Sequence, residues 1–173
     1  PTSSRRQRQM CIRDRGLTPD LKEVKYLLKN TCIPIRIMIR PHSKSFNYSE
    51  KDTSIILRDI LNFKKIGIDG IVIGCLNQYR EIDLKKINLF VKNAKPLKVI
   101  LHKAIDSTKD PLKSFKNLVK NSNVDGVLTS GGFSSAEEGI EVLKKMVDYS
   151  PANFELIIAG KITSENLQEI NQK

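Results

Sequence analysis

The sequence predicts an α/β protein built on a parallel β-sheet, and three observations carry that reading. From Gly16 onward, apolar runs of four to seven residues alternate with amphipathic stretches, the pattern of right-handed βαβ units. Most of the apolar runs are apolar at consecutive positions, as strands covered on both faces are. Their centres, near Ile37, Ile73, Ile100, Leu128 and Ile157, recur roughly every 30 residues. Eight such units would need about 240 residues. Five strands therefore fit either a small doubly wound sheet or a (β/α)8 barrel of which only part is present.

The elements follow in order. "TPDLKEVKYLLKN" sets Leu21, Val24, Leu27 and Leu28 on one helical face, with Thr18-Pro19 expected as cap and first turn. "IPIRIMIR" (Ile33–Arg40) alternates with period two: the isoleucines share one face, and Arg36, Met38 and Arg40 share the other. "SEKDTSIILRDILNFKKIG" is a helix capped by Ser49 and ending at Gly67. "GIVIGCL" (Gly70–Leu76), "LKVILHKA" (Leu97–Ala104), "DGVLTSG" (Asp125–Gly131) and "FELIIAG" (Phe154–Gly160) are the further strands. The helices "IDLKKINLFVKNA", "DPLKSFKNLVKNS" and "SAEEGIEVLKKMVDYS" separate them, and "TSENLQEINQK" begins another behind Thr163 or Ser164. "GIDGIVIG" is echoed by "NVDGVLTSG", with Asp69 and Asp125 in matching loops that feed a strand.

Composition bounds the partners. The net charge is +11. Residues 1–15 hold five arginines against Asp14 alone, so they supply +4 of it. Their Arg-rich composition departs sharply from the Lys-, Asn- and Ile-rich remainder. They are expected to be a non-native or disordered leader, of the kind a translated adapter sequence leaves, with the domain running over 16–173. A basic arm or targeting segment is the functional alternative. The remaining lysines sit at helix-surface spacing, and no stretch interleaves basic with aromatic residues. No nucleic-acid partner is therefore expected. No run of about 18 apolar residues exists, so no membrane partner is expected either. Cys11, Cys32 and Cys75 lie far apart without CxxC spacing. That argues against a disulfide framework and for a reducing, cytoplasmic setting.

In parallel α/β proteins, function gathers at the carboxyl ends of the strands. Those ends deliver Arg40 and His42, then Cys75, then His102, Lys103 and Asp106, then Thr129, Ser130, Gly131 and Gly132, then Lys161. Both histidines of the chain are among them. His102 and Asp106 could be a base and its orienting acid; alternatively, Asp106 caps a loop while His102 fills the mouth. Arg40 and Lys103, with the amides of "TSGG", could hold a small anion, or the cations could pair with Asp106. Cys75, His42, His102 and Met38 are the candidate donors for a metal ion, against the plainer reading of a buried core cysteine.

"MIRP" followed by "FNYS", "IDGIVIGCL", "PLKVILHKAID", "DPL" and "VLTSGGFSSAEEG" resembles the CutC family from about Gly16 to the C-terminus. The resemblance implies a (β/α)8 TIM barrel, here truncated to about five of eight strands. It also implies a cytoplasmic protein, a homodimer when full length, and a role in copper homeostasis with copper as the bound ion. The enzyme alternative acts on a small phosphorylated or carboxylated metabolite, with His102 as acid/base, Asp106 orienting it, and Arg40, Lys103 and the "TSGG" amides on the anion. A third reading is an inactive fragment. The chain departs from the family pattern at His42 and Ser43-Lys44, where Arg and Gly-Gly are usual. Lys103 stands in place of Arg, which forfeits a bidentate fork, and Lys161 stands in a usually Gly-rich turn. The family's proposed copper cysteines fall on strands that would precede Gly16. With its barrel edges open, the chain is expected to be poorly soluble or oligomeric.

Overall fold

The computed structural model describes residues 16–164, 166 and 167. The expected leader, Cys11 and most of the helix beginning at "TSENLQEINQK" lie outside the described residues. The elements are α1 (Leu21–Asn30), β1 (Arg36–Met38), α2 (Glu50–Lys65), β2 (Gly70–Ile73), α3 (Leu84–Ala94), β3 (Lys98–Leu101), a 3-10 turn (Lys103–Ser107), α4 (Pro111–Asn121), β4 (Gly126–Thr129), α5 (Ile140–Tyr149) and β5 (Glu155–Ile158). The five strands form one sheet in the order β1-β2-β3-β4-β5, and every neighbouring pair is parallel. Sequential order excludes a doubly wound sheet, in which the order reverses at a switch point.

The sheet is curled. Flat, the first and fifth strands would stand roughly 19 Å apart. Yet Arg36 at the start of β1 donates from both terminal nitrogens to the Glu155 carboxylate at the start of β5, at 2.7 and 2.8 Å. Period-two alternation gives the curled sheet an outer and an inner face. Ile35, Ile37, Ile39, Ile71, Ile73, Cys75, Val99, Leu101 and Val127 pack outward in one core with the helices. Residues of the other parity line the lumen. They are charged at the bottom (Arg36, Lys98, Glu155), apolar in the middle (Met38, Val72, Ile100, Leu128, Ile157) and polar at the mouth (Arg40, His102, Ser130). Gly70 and Gly126 keep the bottom narrow: a Cβ there would come within 2.6 Å of the Lys98 carbonyl and 2.3 Å of the Glu155 carbonyl.

Local chemistry sets the helix starts. Ser49 and Asp52 form a reciprocal capping box on α2. Asp83 and Asp110 cap α3 and α4, the latter with Pro111 in the first turn. Two expectations are corrected. Asp20 caps α1, because Thr18 is drawn away to the segment just after β1, where its Oγ1 accepts from Arg40 N at 2.9 Å. The fifth helix starts at Ile140, behind Gly139. The preceding "SSAEE" stays in turns, with the Ser134 hydroxyl bonded to Glu138 at 2.8 and 3.0 Å. The repeated aspartates do matching work below the sheet: Asp69 accepts from Arg36, and Asp125 accepts from Val99 N at 2.8 Å.

Candidate functional site

The mouth divides into two halves of opposite character. Beyond β3 and β4, every polar group is spoken for, and Asp106 is the hub. Its carboxylate accepts from Thr129 Oγ1, from Ser130 N and Gly132 N, both at 3.0 Å, and from Lys103 Nζ at 3.1 Å. Lys103 Nζ also donates to Ser130 Oγ at 2.5 Å, and Gly131 N is taken by Thr129 Oγ1 at 2.9 Å. The "TSGG" amides do form an anion nest, but the protein's own carboxylate fills it. The expected use of Lys103, Thr129, Ser130, Gly131 and Gly132 to hold a substrate anion is therefore corrected. They form a clasp that ties the exit of β3 to that of β4.

The expected pairing of His102 with Asp106 is corrected as well. The 3-10 turn begins immediately after His102, and His102 caps it: Nδ1 accepts from Ala104 N at 3.0 Å. That bond commits the imidazole to its cap, while Asp106, a turn further on, faces β4.

Beyond β1 and β2 the mouth is unsatisfied. His102 is 4% exposed, and its ring lies over Gly74, where a Cβ would stand 2.3 Å from Cε1. Only glycine leaves room for the ring, which is the physical content of Gly74. Gly74→Ala is expected to cost about 1–3 kcal/mol by overpacking, read as a shift in urea midpoint. A variant as stable as the parent would show that the ring has room to swing aside. Phe46 packs against His102 at a tilt, centroids 4.9 Å apart, and the Arg40 guanidinium sits 4.6 Å from the centroid of the Phe46 ring. His42 meets Tyr48 edge to face at 5.5 Å.

Four buried polar atoms in this half have no hydrogen-bond partner: Arg40 Nε, His42 Nδ1, Tyr48 OH and His102 Nε2. Among the described residues they are the complete set of such side-chain atoms. Burial, reinforced by the Arg40 charge, pulls the His102 pKa down to about 3. Burial pushes the Tyr48 phenol up to about 12, with Arg40 opposing. His102 is thus neutral, and since Nδ1 is an acceptor, the proton is on Nε2. Arg40 Nε and His102 Nε2 are therefore donors without an acceptor, and Tyr48 OH, protonated and close to Arg40, can donate as well as accept. Phe46, Tyr48 and Gly74 escaped the sequence reading; "FNYS" and "GIVIG" stood within the motifs, but neither carries a titratable group in the neutral range.

The expected metal donors do not converge. Cys75 has the parity of Ile71 and Ile73 and so points into the outer core, fully buried. Its thiol is pushed up to about 12, chiefly by burial and then by the Asp83 charge. His42 turns to Asp52, 3.5 Å from Nε2. Among the described residues, no three His, Cys, Asp or Glu side chains gather as a metal cluster would. Lys161 follows Gly160 and is exposed, with a left-handed φ of 53°.

Comparison with known proteins places this geometry. A model of the CutC family matches residues 5–173. The chain is 34% identical over 158 residues to the family protein CutC of Mesorhizobium japonicum, covering 91% of this chain and 61% of that one. It is 34% identical to the mouse copper homeostasis protein cutC homolog, covering 90% and 57%. The chain thus spans about three-fifths of the length of these curated relatives. The solved CutC structure from Streptococcus agalactiae superposes with a TM-score of 0.80 at 29% identity, over 90% of this chain and 77% of that one. The parallel sheet and its helices are accordingly TIM-barrel-like.

Proposed function

The chain belongs to the CutC family, and from that premise we propose that its β1–β3 mouth binds a small anionic metabolite, carboxylated or phosphorylated. One observation carries the reading: the unpartnered Arg40 Nε and His102 Nε2 are donors, and the unpartnered Tyr48 OH beside them can donate. Buried donors without acceptors are costly, and an anionic oxygen is the ligand that satisfies several at once. The same set suits an oxygen on which negative charge develops. Arg40 supplies charge, His102 a neutral N–H whose tautomer the Ala104 amide holds, and Tyr48 a phenol that stays protonated.

The relatives' copper-homeostasis names suggest a copper ion as the ligand instead, and the donor set does not fit one. Soft Cu(I) asks for thiolate or thioether sulfur, and Cys75 is turned into the core. A metal on His102 Nε2 would need that nitrogen bare. The proton would then move to Nδ1, where it would face the Ala104 N–H. Free thiols at Cys32 and Cys75 suit a reducing compartment, and the cytoplasm is part of this proposal.

Calorimetric titration of the chain with sulfate tests the reading. Saturable binding is expected, flat between about pH 5 and 8, because the His102 pKa lies near 3 and sulfate stays a dianion. Arg40→Met should abolish it. His102→Asn keeps an acceptor for the Ala104 amide and removes the Nε2 donor, and should weaken binding roughly tenfold, the worth of one charge-assisted hydrogen bond. Binding that rises steeply below pH 6.5 would overturn the neutral-donor assignment. Stoichiometric Cu(I) binding lost in Cys75→Ser or His42→Ala would overturn the proposal itself.

A further inference from the structure

We infer that the outer face of α4 is a binding surface for single-stranded nucleic acid. A groove of about 580 Å³ runs along this helix, from the loop after β2 to the end of α5, and is walled by Arg80, Lys109, Lys113, Lys116, Lys120 and Tyr149. Among the described residues none of its five cations is ion-paired; the salt bridges all lie elsewhere. The two acids on the groove are already engaged. Asp110 caps α4 through Lys113 N at 2.9 Å, and Glu81 accepts from the Asn77 side chain at 3.3 Å.

The arrangement suits a linear polyanion better than a single small ion. Lys113, Lys116 and Lys120 follow the i, i+3, i+7 spacing of one face of α4 and span roughly 10 Å along it, and Lys109 stands just before the Asp110 cap of the helix. Arg80 extends the row and is held in place. Its backbone adopts a left-handed φ of 60°, and its guanidinium grips the Ser107 carbonyl at 2.8 and 3.1 Å. An aromatic stands among the cations. Tyr149, from α5, is 43% exposed, and Lys116 Nζ lies 5.3 Å from its ring centroid. A positive track with an exposed ring beside it is the combination that binds single strands, with cations on the phosphates and the ring under a base. In the linear sequence these basic and aromatic residues are too far apart to be read as interleaved, and the expectation of no nucleic-acid partner rested on that. The packing of α5 on α4 brings them together.

Fluorescence anisotropy with a labelled oligo(dT) of about a dozen nucleotides tests the inference on the full chain. Binding is expected at low salt, falling as salt rises. The double variant Lys113→Gln/Lys116→Gln should weaken it at least tenfold and flatten the log–log salt slope by about 0.7 for each lysine. Tyr149→Ala should weaken it roughly fivefold or more, while Tyr149→Phe retains it. The matched double variant Lys22→Gln/Lys25→Gln on α1 removes the same charge far from the groove and should leave binding unchanged. Binding carried by the Arg-rich leader or by net charge alone would survive the α4 variant, or fall equally in the α1 variant, and either result overturns the inference. So would equal competition by polyglutamate together with indifference to Tyr149→Ala.

Discussion

Glu155→Ala should destabilise the protein by about 3 kcal/mol, the cost of stranding a buried charge, and more than Arg36→Met does. The asymmetry follows from burial. The Arg36 side chain is 4% exposed, and without Glu155 it keeps only Asp69, at 3.3 Å. Glu155 is 27% exposed and retains Lys98 at 2.7 Å, so losing Arg36 leaves it paired and partly hydrated. Urea unfolding of both variants checks the order, and losses below about 1 kcal/mol in both would place this network with ordinary surface pairs. The same network dictates a pH dependence. Hydrogen bonds from Arg36, then from Lys98, hold the Glu155 carboxyl at about 2, below its usual 4.5. A group whose pKa is depressed on folding contributes fully above its unfolded value, and loses that contribution as pH falls towards the folded one. Acid should therefore destabilise the parent between about pH 4.5 and 2 more than it destabilises Glu155→Gln.

Asp106→Ala should cost about 2–3 kcal/mol as well, by leaving the Ser130 amide, the Thr129 hydroxyl and Lys103 without their acceptor. Asp106→Asn should do little better, because an amide NH2 would face the Ser130 or Gly132 N–H. The informative comparison is with ligand binding. A clasp supports the mouth from the side, so sulfate affinity of folded Asp106→Ala should change little at low temperature while its melting temperature falls. A catalytic partner of His102 would show the reverse: preserved stability with altered pH behaviour at the mouth.

The two variants probe the two ends of the lumen, and the ends differ in how they could be read. At the bottom, the alternation of "IPIRIMIR" already set Arg36 apart from the isoleucines. Its partner lies 119 positions away, and nothing local to either residue announces the other. At the mouth, the strand ends named Arg40 and His102 correctly as rim residues. The four-position spacing of His102 and Asp106 leaves open both a dyad and two separate roles, and the structure keeps the two apart. The 3-10 turn sends the two side chains to different neighbours. For Cys75 the structure gives the plainer of the two readings, a core cysteine: a strand end brings a residue to the rim, but parity decides whether it faces lumen or core.

The sequence by itself determined the succession of strands and helices, the capping of α2 by Ser49, the parallel sheet and the family resemblance. These rest on local preferences and on periodicity, which travel with the chain. Only the tertiary structure decided that the "TSGG" nest is filled by Asp106, that His102 is a neutral donor lying over Gly74, and that Tyr149 joins the lysines of α4. Each depends on groups distant in sequence meeting, and at Asp106 and His102 they meet in a space from which water is largely excluded. There, a single hydrogen bond settles a tautomer, and a single missing Cβ makes room for a ring.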